Sequence, residues 1–439
     1  MGEKIRAVVE ALAAPLMVVI ALGGIFYVFS LMKVDIEPIL SIVVALTPIW
    51  LPVILFYLMF DRWQEFSRTK FAYENGRVTL RIKLPQEVLK SPEAMESVFA
   101  QIHNPNGSDN LWQAYIDGKH PLISSFEIAS IGGEVRFYVN VPRKKIKNAI
   151  ESQLYAQYPG VEVIEEPIDY AGEVVWDEDK WEMMSFHICK KKDDIYPIKT
   201  YIDFKLDMMP KEELKFEPMA PLLEHLGRVK PHERIWVQIL AKPHAEQNFY
   251  SGSRETTSTW EKEAARKINE IMGRDDKRMA PEESENRPTL TSQERDTVAA
   301  IERNVSKYAY ETAIRAMYIT EKGKFDGDMI GPLLKSFSQY DIIGRNAMGV
   351  RWRTDFDNNW WSDYSGVKKK AMKQRELEAY KARSYDDEDT KTHIDRPKVM
   401  SAEELATIYH LPGTSIVTPG VTRIESSRRE APSNLPIQR

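Results

Sequence analysis

A single cysteine, Cys189, stands in a chain of 439 residues, so no disulfide can close within one molecule, as expected in a reducing compartment. No stretch matches G-x-x-x-x-G-K-[ST], and no strand runs into a glycine-rich turn at a helix start. The segment "EKGKFDGD" (Glu321 to Asp328) has glycines and a lysine, but at the wrong spacing and with no Ser or Thr after them. ATP hydrolysis by this chain alone is therefore not expected. Metal ligands are equally sparse. His187 and Cys189 lie two apart on an expected strand and point the same way, yet no second pair at ligand spacing joins them. His225 and His232 fall in different elements, and the acidic run Asp386 to Asp389 lacks the calcium-loop pattern. No catalytic residue, cofactor or metal is expected. The charge is nearly balanced, 60 basic against 65 acidic for a net of −5, which is not the balance of a dedicated nucleic-acid binder.

Charge is also missing locally. Ala11 to Met32 and Pro38 to Phe60 contain no charged residue, and each is as long as the roughly 20 apolar residues that cross a bilayer. With only Lys33 to Glu37 between them, the two stretches predict a transmembrane helical hairpin. Lys4 and Arg6 precede it and Arg62, Arg68 and Lys70 follow it, which predicts both termini on the cytoplasmic side of an inner membrane. The mean hydropathy of −0.42 leaves the rest of the chain as a soluble body.

In that body, "RVTLRIKLP" alternates Val78, Leu80, Ile82 and Leu84 as a strand does, and "SPEAMESVFAQIH" places Met95, Val98, Phe99 and Ile102 at helical spacing behind Ser91 and Pro92. "LISSFEIASIGGEVRFYVNVP" reads as two strands about Gly132-Gly133. A helix through Ile146, Ile150 and Leu154 and a strand "VEVIEEP" complete the order β-α-β-β-α-β, the ferredoxin-like plan. A second copy follows: a strand in "YPIKTYIDF", a helix in "EPMAPLLEHLGRV", strands in "RIWVQILAKP" and "ETAIRAMYIT", a helix in "DMIGPLLKSFSQY" and a closing strand in "AMGVRWRT". The expected fold is thus α+β: a hairpin anchor over 1–62, a ferredoxin-like domain over 63–172, and a second over 173–362 with a long insertion near 250–295. That insertion holds two helices, the latter opened by a capping box of Thr291 and Glu294, and a charged loop poor in apolar residues. A charged linker, a short helix and an extended tail occupy 363–439.

Three basic clusters could meet phosphates or anionic lipid: Arg143, Lys144 and Lys145; Lys190, Lys191 and Lys192; and Lys368, Lys369 and Lys370, with Trp360 and Trp361 just before the last. Aromatic stacking beside a basic stretch holds single strands without sequence preference.

Taken together, "SFEIASIGGEVRFYVNVP", "IESQLYAQYPGVEVIEEPIDY", "EPMAPLLEHLGRVKPHERIWVQILAKP" and "SAEELATIYHLPG…APSNLP" resemble a family of bacterial membrane proteins of small-genome lineages. In that family a hairpin anchor and an α+β region stand before or beside an ATPase of the type IV secretion and conjugation class. The resemblance implies a non-enzymatic, homo-oligomeric inner-membrane platform that recruits or positions such an ATPase in trans. The segment around Leu405, Tyr409, His410, Leu411 and Pro412 would then reach the motor. It leaves two other readings open: a single-stranded nucleic-acid-handling subunit, or the front part of a divided coupling ATPase.

Overall fold

The structure is a computed structural model that describes residues 38, 41, 44–85, 88, 90–105, 107–208, 217–247, 250–251, 253–255, 258–273, 290–354, 367–385, 397–413, 420–421 and 423. The chain divides into two units, Met1–Phe66 and Ser67–Arg439.

A long helix, α1 (Thr47–Asn75), begins in the first unit and ends in the second. Its opening part is apolar all round, with Ile49, Val53, Phe56, Tyr57, Leu58 and Met59 each more than half exposed. The expected membrane hairpin is corrected here. Among the described residues no helix is long and apolar enough to cross a membrane. Within α1 the uncharged run from Thr47 to Phe60, ended by Asp61, is shorter than the roughly 20 apolar residues that cross a bilayer. The other expected span, Ala11 to Met32, lies outside the described residues, and the two-span inner-membrane placement is withdrawn.

The second unit follows the strand and helix periodicities closely. Its elements are β1 (Arg77–Lys83), α2 (Glu93–Ile102), α3 (Leu111–Tyr115), β2 (Ser124–Ile131), β3 (Glu134–Pro142), α4 (Lys147–Gln157), β4 (Glu162–Glu166), β5 (Trp181–Lys190), α5 (Ala220–Gly227), β6 (Glu233–Pro243), the short pair β7 (Glu246–Gln247) and β8 (Arg254–Glu255), α6 (Ser258–Ile271), α7 (Ser292–Val305), β9 (Ala309–Glu321), α8 (Ile330–Lys335), β10 (Met348–Trp352), α9 (Val367–Ala382), β11 (Lys398–Ser401) and α10 (Ala402–Ile408). Among the described residues nine strands form one antiparallel sheet in the order β10-β5-β9-β6-β2-β3-β1-β4, with β11 taking over from β5 along β9. The expectation of two separate ferredoxin-like domains is corrected: both sets of strands belong to this one sheet. They are fused where β2 pairs β6 from Ser124↔Ala241 to Ile131↔Arg234. Had the sets stayed apart, each would have left a long apolar strand as a bare edge; pairing them removes both edges.

The element expected in "YPIKTYIDF" is also different. Tyr196 to Phe204 runs through turns, and Lys205 takes a left-handed conformation, φ 59°. The strand that opens the second set is β5, one segment earlier. Ser91 contributes a backbone carbonyl to α2, through the Ala94 amide, and the cap residue is Pro92 with no side-chain cap bond.

Each face of the sheet has its own core. On one, Phe126, Ile128, Phe137, Val139, Val237, Ile239 and Ala316 pack with Phe99, Ile150, Leu154, Leu223, Leu226 and Leu405 from the helices α2, α4, α5 and α10. On the other, Ala129, Tyr138, Trp236, Met317 and Ile319 meet Tyr170, Val174, and Leu377 and Tyr380 of α9. A small third cluster, around Trp260 and Ile301, joins α6 to α7. The hairpin turn shows why glycine is needed: Gly133 has φ +90°, and a Cβ there would sit 2.9 Å from the Val229 carbonyl oxygen. A Cβ on Gly420 would fall within 2.0 Å of the Gly133 oxygen, so the end of the described chain passes hard against this turn. The Gly420 carbonyl accepts a 2.7 Å bond from the Val135 amide.

Candidate functional site

Residues directly opposite one another on neighbouring antiparallel strands share a face. Reading across the registers gives Arg81, Tyr138, Glu127, Gln238, Arg315, His187 and Arg351, one from each of seven adjacent strands. This polar row crosses the face that α9 covers. Glu127, Gln238 and Arg315 lie at its centre, where Glu127 and Gln238 are fully buried.

Glu127 accepts from Ser125 Oγ at 2.6 Å, Tyr170 Oη at 2.7 Å, Gln238 Nε2 at 2.9 Å and Arg383 Nε at 3.0 Å. Burial alone would push this carboxyl up, but the Arg383 guanidinium outweighs it and holds the group below the ordinary carboxylate range. Arg383 also donates to Asp169, with Nη2 at 3.0 Å from Oδ1. Around this pair the aromatic rings interlock: Tyr138 stacks on Tyr170 at 4.4 Å, Trp236 meets Tyr170 edge-on at 5.4 Å, and the Tyr170 and Tyr380 hydroxyls share a 2.7 Å bond.

Further along the row, Glu376 of α9 enters the sheet. Its carboxylate accepts from Arg353 Nε at 2.8 Å, Ser185 Oγ at 3.3 Å and, across 3.1 Å, His187 Nε2. Burial raises this carboxyl, yet the His187 hydrogen bond and the charges of Arg353 and Arg315 bring it down to about 2. His187 itself is held below its usual value by burial, with Arg315 and Arg353 adding to the effect. Ser, His and Glu thus meet, but not as a nucleophile relay: Ser185 donates to the carboxylate rather than to the imidazole, and its side chain is fully buried. A relay needs the serine on the histidine and open to substrate.

On the opposite face, Lys190 and Glu404 form an ion pair at 2.8 Å with both side chains fully buried. Lys190 Nζ also donates to the carbonyls of Asp194 at 2.8 Å and Val399 at 3.1 Å. Glu404 closes a capping box with Ser401 and accepts from the Ile198 amide. At the far end of α10, His410 Nε2 lies 2.5 Å from Glu217, and that carboxylate keeps the imidazole above its ordinary value against the burial that lowers it.

The sequence-predicted residues fall elsewhere. Leu405, Tyr409, His410 and Leu411 are buried in this chain's own core, Pro412 is buried with them, and Tyr409 packs on Phe126 at 5.2 Å. They hold the chain to itself. Arg143 pairs with Glu165, Lys144 and Lys145 are exposed at the end of β3, and Lys191 and Lys192 are exposed beyond β5. Four strand spacings, roughly 19 Å, separate β3 from β5, so the first two clusters do not form one track. Lys370 pairs with Glu178 at 2.9 Å and Lys369 is half-buried. Trp360 and Trp361 lie outside the described residues, as does the side chain of Lys368.

Glu127, Arg315, Glu376 and Arg383 went unread in the sequence. Each of the first two is a charge between apolar neighbours in a central strand, "FEI" and "IRA", and alternation of that kind reads as a solvent face. The usable signal was the charged helix downstream, which has to lie on something. Among the described residues no group of three or more His, Cys, Asp or Glu could hold a metal ion. An open groove of about 450 Å³ is lined by Glu96, His103, Lys307 and Tyr308, where His103 stacks on Tyr308 at 4.8 Å.

A family model described as "Domain of unknown function (DUF8128)" matches residues 64–423. No curated protein matches the chain. Among solved structures, a variant berberine bridge enzyme described as a reticuline dehydrogenase aligns at 8% identity and a TM-score of 0.20. The alignment covers 61% of this chain and 42% of that one, less than half of its length. A likeness at that score carries neither fold nor chemistry. The membrane assignment is withdrawn, and none of these matches bears on the secretion and conjugation resemblance.

Proposed function

The chain belongs to the DUF8128 domain family, and from that premise we propose that it is a non-catalytic assembly subunit that recruits or positions a separate P-loop ATPase. One observation carries the reading: the opening part of α1 presents Ile49, Val53, Phe56, Tyr57, Leu58 and Met59 to the outside. An exposed apolar surface of that extent is a contact surface for another molecule. The deep acids and bases point the other way, since Glu127, Glu376 and Glu404 each spend their oxygens on groups of the same chain. The motor is inferred from the sequence resemblance alone.

Affinity purification of the full chain from its native cells, with copurifying P-loop ATPases identified by mass spectrometry, tests the proposal. The wild-type chain should retain the ATPase, and a V53D/F56D double variant should lose it while melting at an unchanged temperature. Retention by that variant overturns the role of α1; ATP turnover by the purified chain alone overturns the non-catalytic reading.

A further inference from the structure

The open groove of about 450 Å³ is lined by Glu96 and His103 on the α2 side, Glu261 of α6, and Lys307 and Tyr308 between α7 and β9. His103 covers one face of the Tyr308 ring, with the ring centroids 4.8 Å apart and the planes 29° from parallel. Tyr308 is nonetheless 55% exposed, so its other face is left open. His103 Nε2 donates to the Ala309 carbonyl across 3.1 Å. Burial holds this imidazole below its ordinary value, so the ring that backs Tyr308 is uncharged near neutral pH.

Three charged side chains line the groove, and two of them neutralise each other. Glu96 Oε1 accepts from Lys307 Nζ at 2.7 Å, and its Oε2 accepts from Tyr201 Oη at 2.7 Å. Glu261, in the first turn of α6, is exposed and has no partner among the described residues. One uncompensated carboxylate therefore stands in the same groove as one open aromatic face. A cation answers both, since it is attracted to the carboxylate and to the electron-rich face of the ring. Guanidinium suits the pair better than ammonium does. It is planar, lies flat on an aromatic ring, and offers two parallel N–H donors along one edge to a carboxylate.

We propose that this groove is a guanidinium-binding site, in which the cation stacks on the open face of Tyr308 and pairs edge-on with Glu261. A free guanidine and an arginine side chain of a peptide present the same group. The groove's 450 Å³ lies within the roughly 300–1,000 Å³ of small-ligand pockets and admits either. The site is separate from the apolar front of α1 and stands whichever partner that helix meets.

Two probes, agmatine and the peptide acetyl-Gly-Arg-Gly-amide, are titrated into the full wild-type chain and followed by ligand-observed saturation-transfer NMR. At least one should bind saturably, and the tighter of the two names the source of the group. The same peptide with citrulline in place of arginine, which keeps the shape and loses the charge, should bind at least about tenfold more weakly, a difference of about 1.4 kcal/mol. Glu261→Gln and Tyr308→Leu should each weaken the arginine probe by a similar factor at an unchanged melting temperature. Glu263→Gln, an exposed acid on the same helix outside the groove, should leave it unaltered. Binding by neither probe, equal binding by the citrulline peptide, or full affinity in the Glu261→Gln chain overturns the site.

Discussion

Two helices near the end of the chain, α9 and α10, lie on opposite faces of the same sheet and are held there by different physics. All seven residues of α10 are buried: Leu405, Ala406 and Ile408 sit in the large core with Tyr409 between Phe126 and Phe137, and the buried Lys190–Glu404 pair is added to that broad apolar packing. In α9 the seam is narrow, and its ends are fixed by charge. Apolar burial is non-directional and lost only when water enters. A buried ion pair is directional, and a single lost partner undoes it. From this difference α10 should behave as part of the fold and α9 as a fixture upon it.

The most drastic way to break the comparison is to remove 402–439. Burial of Leu405, Ile408, Tyr409 and Leu411 contributes roughly 1.5–3 kcal/mol each, a sum comparable with the whole 5–15 kcal/mol of a domain. The truncated chain should show no cooperative melt by circular dichroism. A sharp melt near the wild-type temperature would demote α10 to the status of α9.

Next in size is Glu404→Ala. It strands the Lys190 ammonium where both side chains are fully buried, and losing one partner of such a pair costs about 3–5 kcal/mol. The urea midpoint should fall accordingly, with the slope unchanged. Replacing both residues by apolar ones, Lys190→Met with Glu404→Leu, should recover much of that loss.

Glu376→Gln should cost less, about 1–3 kcal/mol, since the amide keeps the shape and one acceptor oxygen for Arg353. Its signature is locality: faster hydrogen exchange through α9, and none in α2. A uniform increase over the whole unit would mean that the two helices belong to one cooperative block.

How much of this was legible in the sequence follows the same division. The α10 side was readable because Val78, Leu80 and Ile82, or Val135, Phe137 and Val139, alternate cleanly, and because Gly132-Gly133 marks its turn. Capping chemistry was readable at Thr291 and Glu294, whose reciprocal bonds the structure contains. The α9 side was not. A strand with polar alternate residues looks solvent-facing until a covering helix is known, and "KKKAMKQRELEAYKAR" has too few apolar residues to announce that it is buried along one edge. Its partners lie up to 256 residues away, as Arg383 and Glu127 do, and no local pattern encodes that pairing. The fusion of the two strand sets through β2 and β6 escaped for the same reason: strand periodicity fixes which face is buried, and says nothing about which edge meets which.

The smallest effect is also the most discriminating, because the two helices should loosen at opposite ends of the pH scale. His187, beneath α9, is held below the ordinary 6.5 by burial. The unfolded chain then takes up a proton that the folded one refuses, so the stability tied to this site is present above 6.5 and falls as pH drops below it. Glu376 adds to the acid loss from its ordinary 4.5 down to about 2. His410, at the end of α10, runs the other way. Glu217 holds its imidazolium above 6.5 against burial, so that contribution is complete below 6.5 and is lost as pH rises through the raised value. Glu217 is itself held low, against burial, by His410, which confines its acid loss to the region below 4.5. Falling pH should therefore quicken exchange in α9 below 6.5, whereas rising pH should quicken it around α10, where burial also holds the Glu403 carboxyl above its ordinary value, once rates are corrected for intrinsic pH dependence. His410→Gln should weaken the alkaline limb around α10 and leave the acid one of α9. If both helices respond at the same end, the charges that separate them are not what holds either in place.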